Sequence, residues 1–134
     1  MKFLNLSFIP RSPGFGLLVL RLTLGLTMLF QHGLGKLQNF EKIAPEFISL
    51  FGIPSNICLG LAVFAEVACS GLLVVGLLTR FAALNLAITM GVAFFVAHGG
   101  AIGGDKPGEL ALVYLVSYVT LFFTGAGSFS VDRE

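Results

Sequence analysis

Three side chains that can trade protons lie inside or at the ends of long apolar runs, where an ionisable group is expensive to keep. Glu66 stands within an uncharged stretch from Ile57 to Leu78, while His32 and His98 close two other stretches. An imidazole exchanges protons near neutral pH, and a carboxyl among apolar groups can be brought to do the same. Together they would suit protonation of a lipid-soluble molecule, or proton-coupled binding. Lys36, Glu109 and Arg21 are the candidates to contact a substrate, Arg21 being also the second charge deep in an apolar run.

Depth decides which of these groups can meet. At about 1.5 Å per helical residue, Arg21 lies about 10 Å from the inner end of its helix, Glu66 about 18 Å from that side, and both histidines about 27 Å up. Helical side chains lean toward their own N-terminus. Arg21 and Glu66 then lean apart, which disfavours a direct salt bridge. The histidines lean back into the membrane and Glu66 leans toward them. The expectation is one outward-opening pocket formed by Glu66, His32 and His98, with Lys36 and Glu109 at its rim. Arg21 should face the bundle interior, where Asn85, Thr120 or the tail residue Asp132 can meet it. A bland alternative stands beside each assignment. Interfacial His and Lys are ordinary, Glu109 can simply favour the positive start of a helix, and Arg21 can be a structural tie.

The elements that carry these groups follow from composition. In 134 residues, 56% are hydrophobic and 11% are charged. A soluble domain has about 25% charged residues, so the solvent for this surface is a lipid bilayer. A net charge of +1 argues against a nucleic-acid partner, which needs a basic face. Four apolar runs, about 14–37, 57–78, 81–98 and 109–125, are near the length that spans a bilayer. The fold class expected is all-α, a polytopic membrane four-helix bundle in one domain.

Punctuation supports these ends. Pro13 suits a helix start, Pro54-Ser55-Asn56 makes a turn and cap, and Thr79-Arg80 is too short a link for anything but antiparallel neighbours. Residues 41–51 read as a short amphipathic helix at the interface. With Trp absent, Phe, Tyr114, Tyr118 and flanking cations are expected to anchor the interfaces. Residues 1–13 lack the pattern of a secretory signal. Counting Lys2, Arg11, Arg80 and Arg133 on one side against Lys36, Lys42 and Lys106 on the other favours cytoplasmic termini.

Cys58 and Cys69, about 16 Å apart along one helix, are too distant to pair and read as small packing residues. No metal site is indicated: a haem or other metal between His32 and His98 finds no further support in the chain. No glycine-rich phosphate loop follows a strand, so no nucleotide cofactor is indicated either.

Several pieces, in order, resemble the DoxX family of small bacterial four-helix membrane proteins. They are Arg21 with Gly25, Gly33 to Lys36, Glu66, the turn Gly76 to Arg80, His98 before a glycine-rich loop, Glu109, and the tail Thr124 to Asp132. Ala126 stands where the family often has Pro. The resemblance implies a protein of the bacterial cytoplasmic (inner) membrane, often described as an oxidoreductase subunit. Relatives are linked to thiosulfate–quinone oxidoreduction and to membrane complexes that handle oxidative stress.

The first expectation is therefore a redox-associated membrane subunit binding a quinone or another small apolar substrate, with redox centres supplied by partner subunits. An alternative is a small-molecule or proton transport or binding protein, which with four helices calls for a homo-oligomer. A non-catalytic membrane scaffold is the third.

Overall fold

The computed structural model describes Met1 and residues 3–133; Lys2, counted above among the inner cations, lies outside the described residues. Among the described residues the chain is all helical, with no strand. Four apolar helices form the bundle: α1, Pro13–Gln38; α2, Ser55–Val75; α3, Thr79–Ala97; and α4, Glu109–Thr124. The first three have the length and hydropathy of membrane spans, while α4 is an apolar helix of 16 residues. At about 1.5 Å per residue α4 reaches about 24 Å, just under the usual hydrocarbon thickness of about 30 Å.

Local chemistry sets the ends. Ser12 caps α1, its hydroxyl accepting from the Phe15 N–H at 3.3 Å, and Pro13 occupies the first turn. α2 was expected to run to Leu78 but stops at Val75. Gly76 adopts a left-handed conformation (φ +75°), which a glycine enters without steric cost. The Gly76 and Leu77 N–H groups then turn back to the Leu72 carbonyl at 2.8 and 3.0 Å. The expected amphipathic helix over 41–51 is cut short. One turn at Phe40–Ile43 and a 3₁₀ turn at Ala44–Glu46 give way to extended backbone at Phe47. Pro45 lacks the N–H that would continue the ladder.

The N-terminal part of α1 packs against the C-terminal part of α2, and α3 lies along α4. Leu24, Met28, Leu73, Ala82, Ala83, Leu86 and Leu121 fill the shared core. Phe15, Phe30, Phe64, Phe81, Phe95 and Phe123 point outward, as lipid-facing side chains do. Three helices contain a π-helical segment: Leu29–Gly33 in α1, Phe64–Cys69 in α2 and Ala93–Ala97 in α3.

The end of the bundle that carries both chain termini (the tail end) is closed by residues 125–133. The Val131 and Asp132 N–H groups donate to the Val75 and Gly76 carbonyls at 3.2 and 2.9 Å. The Asp132 carboxylate accepts from the Leu78 and Thr79 N–H groups at 3.0 and 2.9 Å, capping α3. Burial alone would raise the Asp132 pKa. The Thr79 and Leu78 donors and the Arg21 charge outweigh it and hold the carboxyl below its ordinary range. Arg21, fully buried, donates to the Leu73 carbonyl at 3.1 Å and to the Phe129 carbonyl at 2.5 Å. The tail therefore meets Arg21, whereas Asn85 and Thr120 bond to Phe81 and Val116 of their own helices.

Candidate functional site

Lys36 and Glu66 form the centre of the site. The Lys36 Nζ donates to both carboxylate oxygens of Glu66, at 2.6 and 2.8 Å. Glu66 is 1% exposed and Lys36 29%, so a buried anion is held by a cation that keeps some contact with the surroundings. The backbone makes this possible. A Cβ on Gly33 would sit 2.7 Å from the Glu66 carbonyl oxygen, so only glycine lets α1 approach α2 this closely. The π segments carrying His32 and Glu66 pack against each other at that contact. Such segments recur at functional positions because they redirect side chains.

The pair lines a cavity of about 390 Å³ between α2, α3 and the strap 47–53. Leu61 and Ala62 of α2, Ile88 and Val92 of α3, and Phe47 and Phe51 of the strap supply apolar walls, with Cys58 also in the lining. Lys36 and Glu66 are the charged side chains among the lining residues. Lys36, expected at a rim, is thus directly on the carboxylate.

The other expected site residues are dispersed. His32, half-buried one turn before Lys36, presents its ring edge-on to Tyr114, with centroids 5.9 Å apart. His98 follows the last turn of α3, and its Nδ1 lies 3.2 Å from the Lys106 carbonyl, which ties down the loop to α4. Glu109 is exposed in the first turn of α4, where an acidic residue suits the helix dipole. Arg21 belongs to the tail clasp. Neither histidine, nor Glu109, nor Arg21 is among the described residues lining the cavity.

Two tyrosines that were expected at the membrane interface are in the core instead. Tyr114 and Tyr118 are 6% and 0% exposed and stack with centroids 5.8 Å apart. The signal was in the spacing: Ala111, Tyr114, Tyr118 and Leu121 fall at i, i+3, i+7 and i+10 and form the buried stripe of α4. The strap was the other omission, since its irregular backbone has no periodicity to read.

Apolar helices of spanning length, with a buried ion pair beside an apolar cavity, define a multi-pass membrane protein of the helical-bundle class. The family model named DoxX matches residues 16–99, and the chain belongs to that family. Arg21, His32, Lys36, Glu66 and His98 lie within the matched part; Glu109 and the tail lie beyond it. Two proteins of Haemophilus influenzae, each described as uncharacterized, are similar to the chain. One is 38% identical over 125 residues, covering 89% of this chain and 82% of the relative. The other is 31% identical over 112 residues, covering 80% and 81%. No solved structure matches the chain.

Proposed function

We propose that this DoxX protein is the membrane-embedded, substrate-binding subunit of an oxidoreductase system and takes a quinone-like molecule into the cavity beside Glu66. The observation that carries the reading is the Lys36–Glu66 pair set in an otherwise apolar cavity of about 390 Å³. Small-molecule sites have this anatomy, apolar walls with a few polar groups that fix orientation. An ammonium suits a quinone carbonyl and a carboxylate suits a quinol hydroxyl, so the pair can hold either redox form by exchanging hydrogen-bond partners. Electron-transfer centres come from partner subunits. The location is the bacterial inner membrane, with four crossings and both termini cytoplasmic, so the cavity and the strap belong to the outer half.

Purification in native lipid patches, followed by extraction and chromatography, tests this. Retained quinone in stoichiometric amount is expected. It should be lost in Ala62→Phe, which fills the cavity, and Glu66→Gln should remove any pH dependence of rebinding. Absence of quinone from the wild-type extract, or equal retention by Ala62→Phe, would sink the reading.

A further inference from the structure

The cavity beside Glu66 has two unlike sides. Its inner wall is closed: Cys58, Glu66 and Met90 are 9%, 1% and 7% exposed. Three other lining side chains, Phe51, Leu61 and Ile88, are large and apolar, yet 95%, 58% and 59% exposed. At about 100° per residue, Ile88 and Val92 stand on the face of α3 turned away from its buried residues Ala83, Leu86, Ala87 and Met90. Both α2 and α3 have the length and hydropathy of membrane spans, and the outer face of such a helix meets acyl chains. The lining runs about 12 Å along α2, from Cys58 to Glu66, and about 13 Å along α3, from Ile88 to Ala97. The cavity is therefore a slot with one long side open toward lipid.

The strap bounds the slot just before the start of α2, and its turn is pinned. The Ile53 N–H donates to the Leu50 carbonyl at 2.8 Å. The Ser49 hydroxyl donates to the Ile53 carbonyl at 2.5 Å, and the Cys58 thiol reaches that same carbonyl at 3.7 Å. At the tip Phe51 and Gly52 are both left-handed, with φ +52° and +76°. A bulky residue enters that region at a cost, and a ring 95% exposed offsets little of it by packing within the protein. What favours an aromatic there lies outside the protein, where lipid takes up the apolar ring. The strap is a fixed wall whose tip stands in the bilayer.

We propose that the cavity is a side-entry slot for a molecule whose polar ring carries a long hydrocarbon tail. The molecule enters from the bilayer between α2 and α3, sets its ring against Lys36 and Glu66, and leaves its tail in lipid past Leu61 and Ile88. The inference rests on the reading that this cavity takes the head of a small molecule, and adds the door and the tail. A volume of about 390 Å³ is near the low end for small-molecule sites, enough for a ring and a short stretch of chain. A longer chain has to stay outside, and an opening onto lipid lets it do so without crossing water. Because that tail never leaves hydrocarbon, it adds little to the binding free energy. The ion pair selects the head, and the open side admits the tail.

Cys58 lies in the lining, and with Cys69→Ala it is the sole thiol of the chain, so entry can be measured without any quinone. The full-length protein in lipid nanodiscs is treated with two maleimides, one on a dodecyl chain that partitions into the bilayer and one sulfonated and confined to water. The dodecyl reagent should label Cys58 and the sulfonated one should not. Leu61→Trp and Ile88→Trp narrow the opening and should each slow the dodecyl reagent by about tenfold, the factor that a steric penalty at the low end of overpacking brings. Leu61→Ala widens the opening and should speed labelling, which covers the case of a tryptophan variant that does not fold. Phe64→Trp, on an exposed side chain of α2 outside the lining, should leave the rate unchanged. Labelling by the sulfonated reagent as fast as by the dodecyl one, or rates indifferent to Leu61 and Ile88, would overturn the slot. So would a Cys58 that neither reagent reaches until the protein is unfolded. Side entry in a protein that retains no quinone would keep the slot and reject the quinone site. Retained quinone with Cys58 reached from water alone would do the reverse.

Discussion

Replacing Lys36 with Met keeps much of the stem and deletes the ammonium that holds Glu66. Both carboxylate oxygens lose their bond to Nζ, at 2.6 and 2.8 Å, and the carboxyl left behind is 1% exposed. Removing one partner of a buried pair costs about 3–5 kcal/mol. Because Lys36 itself is 29% exposed, we expect the lower end, about 3 kcal/mol. For a chain of this size each kcal/mol moves the thermal midpoint by about 3–5 °C, so the drop should be about 10 °C. Replacing both partners with apolar residues is often neutral or stabilising, so Lys36→Met with Glu66→Leu should recover most of the loss. Cys69, fully buried and free, provides the assay. In a Cys58→Ala background a fluorogenic maleimide reports its exposure on heating in detergent. A single variant as stable as the parent, or a double variant less stable than the single, would refute the reasoning.

Gly33→Ala places a methyl 2.7 Å from the Glu66 carbonyl oxygen and should cost about 1–3 kcal/mol in the same assay. Gly35→Ala, which meets nothing within 4 Å, should be neutral. Asp132→Ala removes the cap on α3 and should cost about 1 kcal/mol. Since the folded protein holds the Asp132 carboxyl below its ordinary range, that contribution is present at neutral pH and fades as the pH falls below about 4. Thermal midpoints measured down the acid range should therefore converge for the parent and Asp132→Asn. Single cysteines at Asn39 and Gly103, in a chain lacking Cys58 and Cys69, should react with a membrane-impermeant maleimide only from outside the cytoplasm; labelling from the cytoplasmic side alone reverses the orientation.

The bundle was legible in the sequence because lipid imposes one rule on every span: backbone bonds must be satisfied within the helix and the surface must be apolar. Long uncharged runs admit little else. Arg21 was legible as an inward-facing tie for the same reason, since a guanidinium that deep has to find oxygen acceptors. The Lys36–Glu66 contact was not. A uniform rise of about 1.5 Å per residue left Lys36 at the rim, whereas π segments alter both rise and direction, and the flexible lysine stem reaches back toward its helix N-terminus. Tyr114 and Tyr118 were misplaced because an aromatic with a hydroxyl was assigned to the interface by residue type, ahead of the stripe in which both stand. The strap was hidden because a wall of irregular backbone leaves no repeating pattern.

A π turn is an α-helix holding one residue too many, and each residue of an α-helix advances the side-chain direction by about 100°. The segment Leu29–Gly33 therefore works as a phase shifter within α1. Below it, Arg21 and Gly25 are aimed at the second helix to shut the tail end; above it, Lys36 is aimed at the same helix to meet Glu66. Loss of one residue from that segment would leave a regular helix and an intact lower half, yet swing the upper half about a quarter-turn away from its partner. The clasp and the polar centre are thus set independently by a single surplus residue, and such a chain can retune one end of its bundle by insertion or deletion without rebuilding the other.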